Sequence, residues 1–404
     1  DDTHALDYTD CSERFYKVSR DFSKQYAHIY AARLSTFRNI LDKIVHKKWA
    51  NKYKTLKLCD LREKGVPCVI IGTLFKNQQL KPSILKELSD RLEIIPQPSS
   101  DSLVLEDELQ RIKLSGDCID VHQVVTGVVC AVLGMYGWIN CFVFCIKILF
   151  IRYIVLTSGL NLASKTAEHW FSLHLLLEWI AGVCGTLTYQ KELSKIVRVI
   201  VAGNFTSICM FYYTFGGIVT ETNSVVSGQA VDAFCAAICS VAPLDLMPGC
   251  KDPSGNMLPQ KPFHYCLFPK AMEYKSFSRV SNPYECFQCL GSSGEPIKDI
   301  MRYSNIDNNL DAMRKTLEWR HMSPTAPDTV PCTPCIDTDP FTMYNCPAIY
   351  YCGNSNEFST TLYEGNILLD IVSSFCDVKL SNQLHFSMVS FSLRTVKKKT
   401  HLNQ

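Results

Sequence analysis

Apolar residues return every three or four positions between Phe22 and Trp49, at Phe22, Tyr26, Ile29, Tyr30, Leu34, Phe37, Leu41, Ile44 and Val45. That period predicts an amphipathic helix, or two broken ones, with Lys24, Arg33, Arg38, Asp42 and Lys47 turned to solvent. From Leu56 to about Phe150 the pattern shortens to strands at residues 68–75, 103–105, 112–114 and 124–133, with 83–92 as an inserted helix. Several short strands in succession predict a small β-barrel. Beyond about Tyr153 helical periodicity over 166–183, 224–241 and 308–321 separates short apolar strands, which predicts a layered α/β sandwich. The expected organisation is a helical segment over 1–55, a barrel over 56–150 and the sandwich over 151–404, mixed α and β overall.

Four apolar strands run straight into glycine: Ile154-Val155-Leu156-Thr157-Ser158-Gly159, Arg198-Val199-Ile200-Val201-Ala202-Gly203-Asn204, Leu244-Asp245-Leu246-Met247-Pro248-Gly249 and Ala348-Ile349-Tyr350-Tyr351-Cys352-Gly353-Asn354. The last is fed by a stretch carrying Pro324, Pro327, Pro331, Pro334, Pro340 and Pro347. Proline lacks a backbone donor and pushes the residue before it toward extended geometry, so a pinned loop is expected there rather than a helix or central strand. Four such endings suggest one sheet whose ligand-binding edge lies at the strand C-termini. A two-metal phosphoesterase draws Asp, His and Asn from turns of this kind to hold two cations and orient a water. In the turns 158–161, 202–205, 248–252 and 352–355 Asp252 is the lone carboxylate and no histidine joins it, and one Asp cannot by itself hold two cations. His264, in Pro262-Phe263-His264-Tyr265, reads as a core histidine holding a loop.

Composition bears on three further readings. Residues 124–146 contain no Asp, Glu, Lys, Arg or His and are long enough to cross a bilayer, which keeps a membrane anchor as an alternative. Against a span, Gly134, Gly137 and Asn140 spell a hairpin turn between strands, and Glu178 interrupts the other apolar run, 170–189. A net charge of +2 with 20% charged residues excludes a strongly basic nucleic-acid footprint, so the lysines of 43–52 and 397–399 read as solvated faces. Twenty cysteines, many inside apolar runs, read as buried thiols in a reducing compartment. Cys286-x-x-Cys289 and Cys332-x-x-Cys335, with Cys346 and Cys352, have ligand-like spacing for zinc, set against the plainer reading of buried thiols. The first residue is Asp1 rather than methionine, which reads as a fragment or a trimmed chain, and the sequon Asn204-Phe205-Thr206 falls on a strand-end turn where it reads as accidental.

The stretches Gly72-Thr73-Leu74-Phe75, Pro82-Ser83-Ile84-Leu85, the run from Leu105 to Leu114, Arg198 to Asn204 and Ser281-Asn282-Pro283-Tyr284 carry a resemblance to a known family. They spread over roughly residues 20–390, far more specific than one short motif. The chain resembles the B-subunit family of replicative DNA polymerases, in its polymerase delta branch. The resemblance implies an OB-fold followed by a calcineurin-like phosphodiesterase domain whose metal site is lost. Its vestigial turns fall on Ser158, Gly159, Gly203, Asn204, Gly249, Asp252, His264, Gly353 and Asn354. It further implies a nuclear, non-catalytic accessory subunit in DNA replication and repair, with no cofactor. The implied partners are the cysteine-rich C-terminal domain of the catalytic subunit of DNA polymerase delta and the third subunit of DNA polymerase delta, with DNA contact indirect or weak. An active metal-dependent phosphodiesterase or exonuclease is the enzyme alternative. Three regions depart from the family pattern: 146–152 and 205–228 are unusually apolar, and 284–291 is short enough to truncate a strand.

Overall fold

One unbroken helix, α2 (Ala27–Trp49), follows a single turn of helix, α1 (Glu13–Tyr16). They open a computed structural model that describes residues 10–16, 26–49, 52–61, 67–78, 101–114, 119–133, 151–162, 167–187, 190, 193–194, 196–206, 221–286, 289–364, 366–372 and 388–392. Helix α2 buries Ile29, Leu34, Phe37 and Val45 as the spacing predicts, but it also buries Arg33, which is 0% exposed. The expectation that Arg33 faces solvent is therefore wrong. Arg33 stands four residues after Ile29 and four before Phe37, so helical geometry places it on the apolar stripe itself.

Where the barrel is expected, the described residues form one five-stranded sheet, β1 (Thr55–Leu56), β2 (Val69–Asn77), β3 (Ser102–Glu106), β4 (Arg111–Lys113) and β5 (Val129–Leu133), called the barrel below. β2 is its axis: β1 and β5 pair with its start, β3 with its end, and β4 continues from β3. The strand predicted over 124–133 begins only at Val129, because Gly127 adopts φ +94° and residues Val121–Gln123 form a 3-10 turn. The predicted helix at 83–92, the hairpin at 134–140 and the aromatics Trp138, Phe142 and Phe144 lie outside the described residues, as do most of the apolar stretch 205–228 and the lysines at 397–399.

The sandwich holds two five-stranded sheets. The first contains β6 (Ile151–Thr157), β7 (Ile196–Ala202), β8 (Leu244–Met247) and β9 (Phe277–Arg279) in parallel, with β15 (Met388–Ser392) antiparallel beside β6. The second runs β10 (Tyr284–Cys286), β11 (Cys289–Ser292), β12 (Ile349–Ser355), β14 (Asn366–Val372), β13 (Ser359–Tyr363). Its short β10–β11 hairpin occupies the region that the sequence marks as short. Three of the four glycine-ended strands sit in the first sheet, and the fourth, β12, lies between β11 and β14 in the second. The expectation of one sheet is corrected to two facing sheets.

Alternation along each strand explains the layers. On β7, Val199 and Val201 point to a core shared with α3 (Ala167–Ile180) and α4 (Glu221–Cys239). Ile200 and Ala202 point the other way, to a core shared with Ile349 and Tyr351 of β12. Tyr350 and Cys352 then face a third core with α5 (Glu295–Tyr303) and α6 (Asn309–Trp319). Strands buried on both faces need apolar residues at every position, which is why these read as continuous apolar runs. The predicted helices at 166–183, 224–241 and 308–321 correspond to α3, α4 and α6, the last capped by the Asn308 side chain. Among the described residues no helix is long and apolar enough to cross a membrane.

The proline-rich loop joins the parts. The Arg33 guanidinium pairs with Asp339 at 2.5 Å and donates to the carbonyls of Gly127, Pro324 and Ala326. His321 Nε2 lies 2.8 Å from Asp339 Oδ2, while its Nδ1 accepts the Ser323 N–H. One cluster thus ties α2, the barrel and the loop. Gly127 is required there: a Cβ at this position would stand 1.9 Å from the Pro324 carbonyl oxygen. At the far edge, Cys11 N–H donates to the Glu285 carbonyl and Arg14 pairs with Glu285, so residues 10–14 cover β10.

Candidate functional site: the strand-end turns

The turns after β6, β7 and β8 meet Gly353-Asn354 at one edge of the sandwich, and they bind each other; the turn expected after Cys352 is instead an irregularity inside β12, which runs on to Ser355. Gly159 N–H donates to the Gly203 carbonyl at 2.9 Å, and Asn354 N–H donates to Ser158 Oγ at 2.9 Å. The Asn354 amide reaches across the two sheets, donating to the carbonyls of Ala202 and Ser293. Asn204 Oδ1 accepts the N–H of Lys251, in the turn that Gly249 opens. Asn204 and Asn354 hold φ values of 52° and 59°, a left-handed conformation that Asn tolerates better than other side-chain-bearing residues. Gly203, at φ +82°, has no room for a side chain: a Cβ would stand 2.4 Å from that of Ser293. Gly353 packs on the backbone of Ala202.

Asp252 closes the cluster. It is 1% exposed, and each carboxylate oxygen takes two donors: Oδ1 accepts Thr206 N–H and Oγ–H, Oδ2 accepts Phe205 N–H and Gly249 N–H. A carboxylate offers about four lone-pair sites. All four are engaged in stapling one turn to the next, so this donor set does not fit a cation. Burial raises the Asp252 pKa, and the four hydrogen bonds offset this only in part. A second buried carboxylate, Asp245 on β8, pairs with Arg198 and accepts Tyr284 O–H, with burial pushing its pKa up to about 6.

Sequence reasoning missed a fifth turn, Ser292-Ser293-Gly294 between β11 and α5. Ser293 is bound by Asn282, whose amide donates to its Oγ and whose Oδ1 accepts its N–H. The signal was present in Leu290-Gly291-Ser292-Ser293-Gly294, another apolar strand ending in glycine, followed by the helix-opening Glu295-Pro296.

His264 stands apart from these contacts. It is exposed rather than in the core, because its side chain caps the 3-10 turn Tyr265–Leu267 from outside, Nδ1 accepting the Cys266 N–H. The loop-holding half of the expectation survives; the core half does not. The cysteine pairs also separate. Cys286 and Cys289 face each other across the β10–β11 hairpin in the core between the sheets, whereas Cys332 and Cys335 lie in the core beside α5 and α6. Each neighbouring thiol, together with burial, raises the Cys286 and Cys332 pKa values. Among the described residues no group of three or more His, Cys, Asp or Glu is placed to hold a metal.

The sequence that builds this fold has counterparts among known proteins. The family of the DNA polymerase alpha/epsilon B-subunit matches residues 154–360, and the DNA polymerase delta subunit OB-fold domain matches residues 25–144. The chain belongs to this B-subunit family of DNA polymerases. Its relatives there are polymerase delta subunits. DNA polymerase delta subunit 2 of Drosophila melanogaster is 40% identical over 395 residues, covering 89% of each chain. The DNA polymerase delta small subunit of Oryza sativa subsp. japonica is 33% identical over 422 residues, covering 96% of this chain and 97% of the other. That of Saccharomyces cerevisiae is 29% identical, covering 85% and 83%.

Proposed function

We propose that this chain is the non-catalytic scaffold subunit of a DNA polymerase delta complex, acting in the nucleus in DNA replication and repair. In this reading the sandwich is a calcineurin-like phosphodiesterase fold whose metal site is lost. Ser158, Gly159, Gly203, Asn204, Gly249, Asp252, Gly353 and Asn354 are then its vestigial turns, with His264 at their margin. The chain bridges the cysteine-rich C-terminal domain of the catalytic subunit and the third subunit, and touches DNA weakly or through its partners. The observation that carries the reading is Asp252, whose oxygens are all spent on neighbouring turns. A crevice that binds itself offers stability and outer surface, and outer surface is what a scaffold uses.

The test is co-expression with the catalytic subunit's C-terminal domain, followed by size-exclusion chromatography with mass determination. A stoichiometric complex is expected. Two folded proteins eluting apart would remove the scaffold reading. The enzyme alternative is tested by manganese-dependent hydrolysis of bis(p-nitrophenyl) phosphate, for which the pure chain is expected to show no rate that Asp252→Asn removes.

A further inference from the structure

We infer that the paired 3-10 turns at residues 264–275 form a ready-made docking surface for an acidic, apolar segment of a partner subunit; this inference rests on the scaffold reading above. The turns, Tyr265–Leu267 and Ala271–Glu273, are anchored from within. Phe263, Phe268 and Ala271 are buried in the core beside α3 and α4. Asp232 of α4, itself buried, accepts the N–H groups of Lys270 and Ala271 at 2.9 Å each. The backbone is therefore fixed before any partner arrives, and a surface that needs no ordering loses less entropy on binding.

Outward, Tyr265 (57% exposed), Leu267, Met272 and Tyr274 all face solvent within ten residues. Scattered single apolar side chains are normal on a monomer, but a cluster of this kind marks an interaction site. Tyrosine and methionine are also the types enriched at the centre of protein interfaces, with polar residues at the rim. The charge within the segment points to the occupant: between residues 264 and 275 the exposed Lys270 and Lys275 outnumber the one exposed carboxylate, Glu273, so the fitting partner is acidic. Exposed Leu267 and Met272, which lie between Tyr265 and Tyr274 in sequence, favour a peptide over a nucleic-acid strand, whose bases stack on aromatic planes.

Cys266 lies exposed in the middle of the surface and reports its coverage. The experiment assembles the full chain with the catalytic and third subunits, confirms the mass, and follows maleimide labelling of Cys266 by peptide mass spectrometry. Labelling is expected to slow at least about tenfold on assembly, and Lys270→Glu with Lys275→Glu to restore it while weakening assembly about tenfold, the scale of losing one good interface contact. Both substitutions change exposed side chains, so the thermal midpoint of the free chain serves as the folding control. An assembled complex in which Cys266 labels as fast as in the free chain overturns the docking surface and leaves the scaffold reading standing. Failure to assemble removes both. Protection by an oligothymidine without any other protein would assign the surface to nucleic acid and overturn the inference as well.

Discussion

Arg33 shows how much one residue decides. Its guanidinium is sealed inside, held by Asp339 and three carbonyls from two other parts of the chain. Removing one partner of a buried pair strands the other charge, which costs about 3–5 kcal/mol, so Arg33→Met is expected to lose that much in urea unfolding. His321 sets the acid behaviour of the same cluster. Its Nδ1 already accepts a backbone N–H, so a second proton has no place, and burial pulls its pKa below the ordinary value of about 6.5. Asp339 is likewise held below the usual carboxylate range: Arg33 and His321 outweigh the opposing effect of its burial. Both groups bind fewer protons folded than unfolded. Stability is therefore expected to fall as pH drops below about 6.5, and again below about 4. Asp245 works in the opposite sense: with its pKa raised to about 6, the folded state holds the extra proton and loses stability as pH rises through that range. Urea midpoints against pH check this, with His321→Gln flattening the loss between pH 6.5 and 5 and Asp245→Asn steepening it.

At the scale of elements, the strand-end turns behave as one knot. Gly203→Ala imposes a side chain at φ +82° and against Ser293, and combining left-handed strain with overpacking costs about 2–4 kcal/mol. Asp252→Asn presents an amide N–H₂ to one pair of donors and is expected to lose about 1–3 kcal/mol; denaturant titration measures both. Strands and turns were largely legible in the sequence because they are local: an apolar run of five residues followed by glycine specifies itself. What pairs with what was not, since β12 carries the same signature as β7 and only its partners, β11 and β14, place it in the other sheet. The burial of Arg33 had a signal in its spacing from Ile29 and Phe37, but its charge argued for solvent and its partner Asp339 is remote in sequence. The closing role of Asp252 was hidden because its donors are mostly backbone N–H groups, which nearly every residue carries.

Over the whole molecule, one core passes from Phe15 and Ile29 through Leu74 and Leu105 of the barrel to Ile300, Met322 and Tyr350 of the sandwich. A core that ignores the domain boundary makes the parts interdependent. Urea unfolding followed by tryptophan fluorescence and by circular dichroism is expected to give coincident single transitions, and two separated transitions would show that barrel and sandwich melt alone.

The Arg33–Asp339 pair also imposes a schedule on synthesis. The two residues are 306 positions apart, and at about 5–20 residues per second a ribosome needs roughly 15–60 s to deliver the second after the first. Throughout that interval α2 carries a cation on the face destined for burial, kept wet by its charge. The newborn helix is therefore expected to stay undocked until the proline-rich loop arrives.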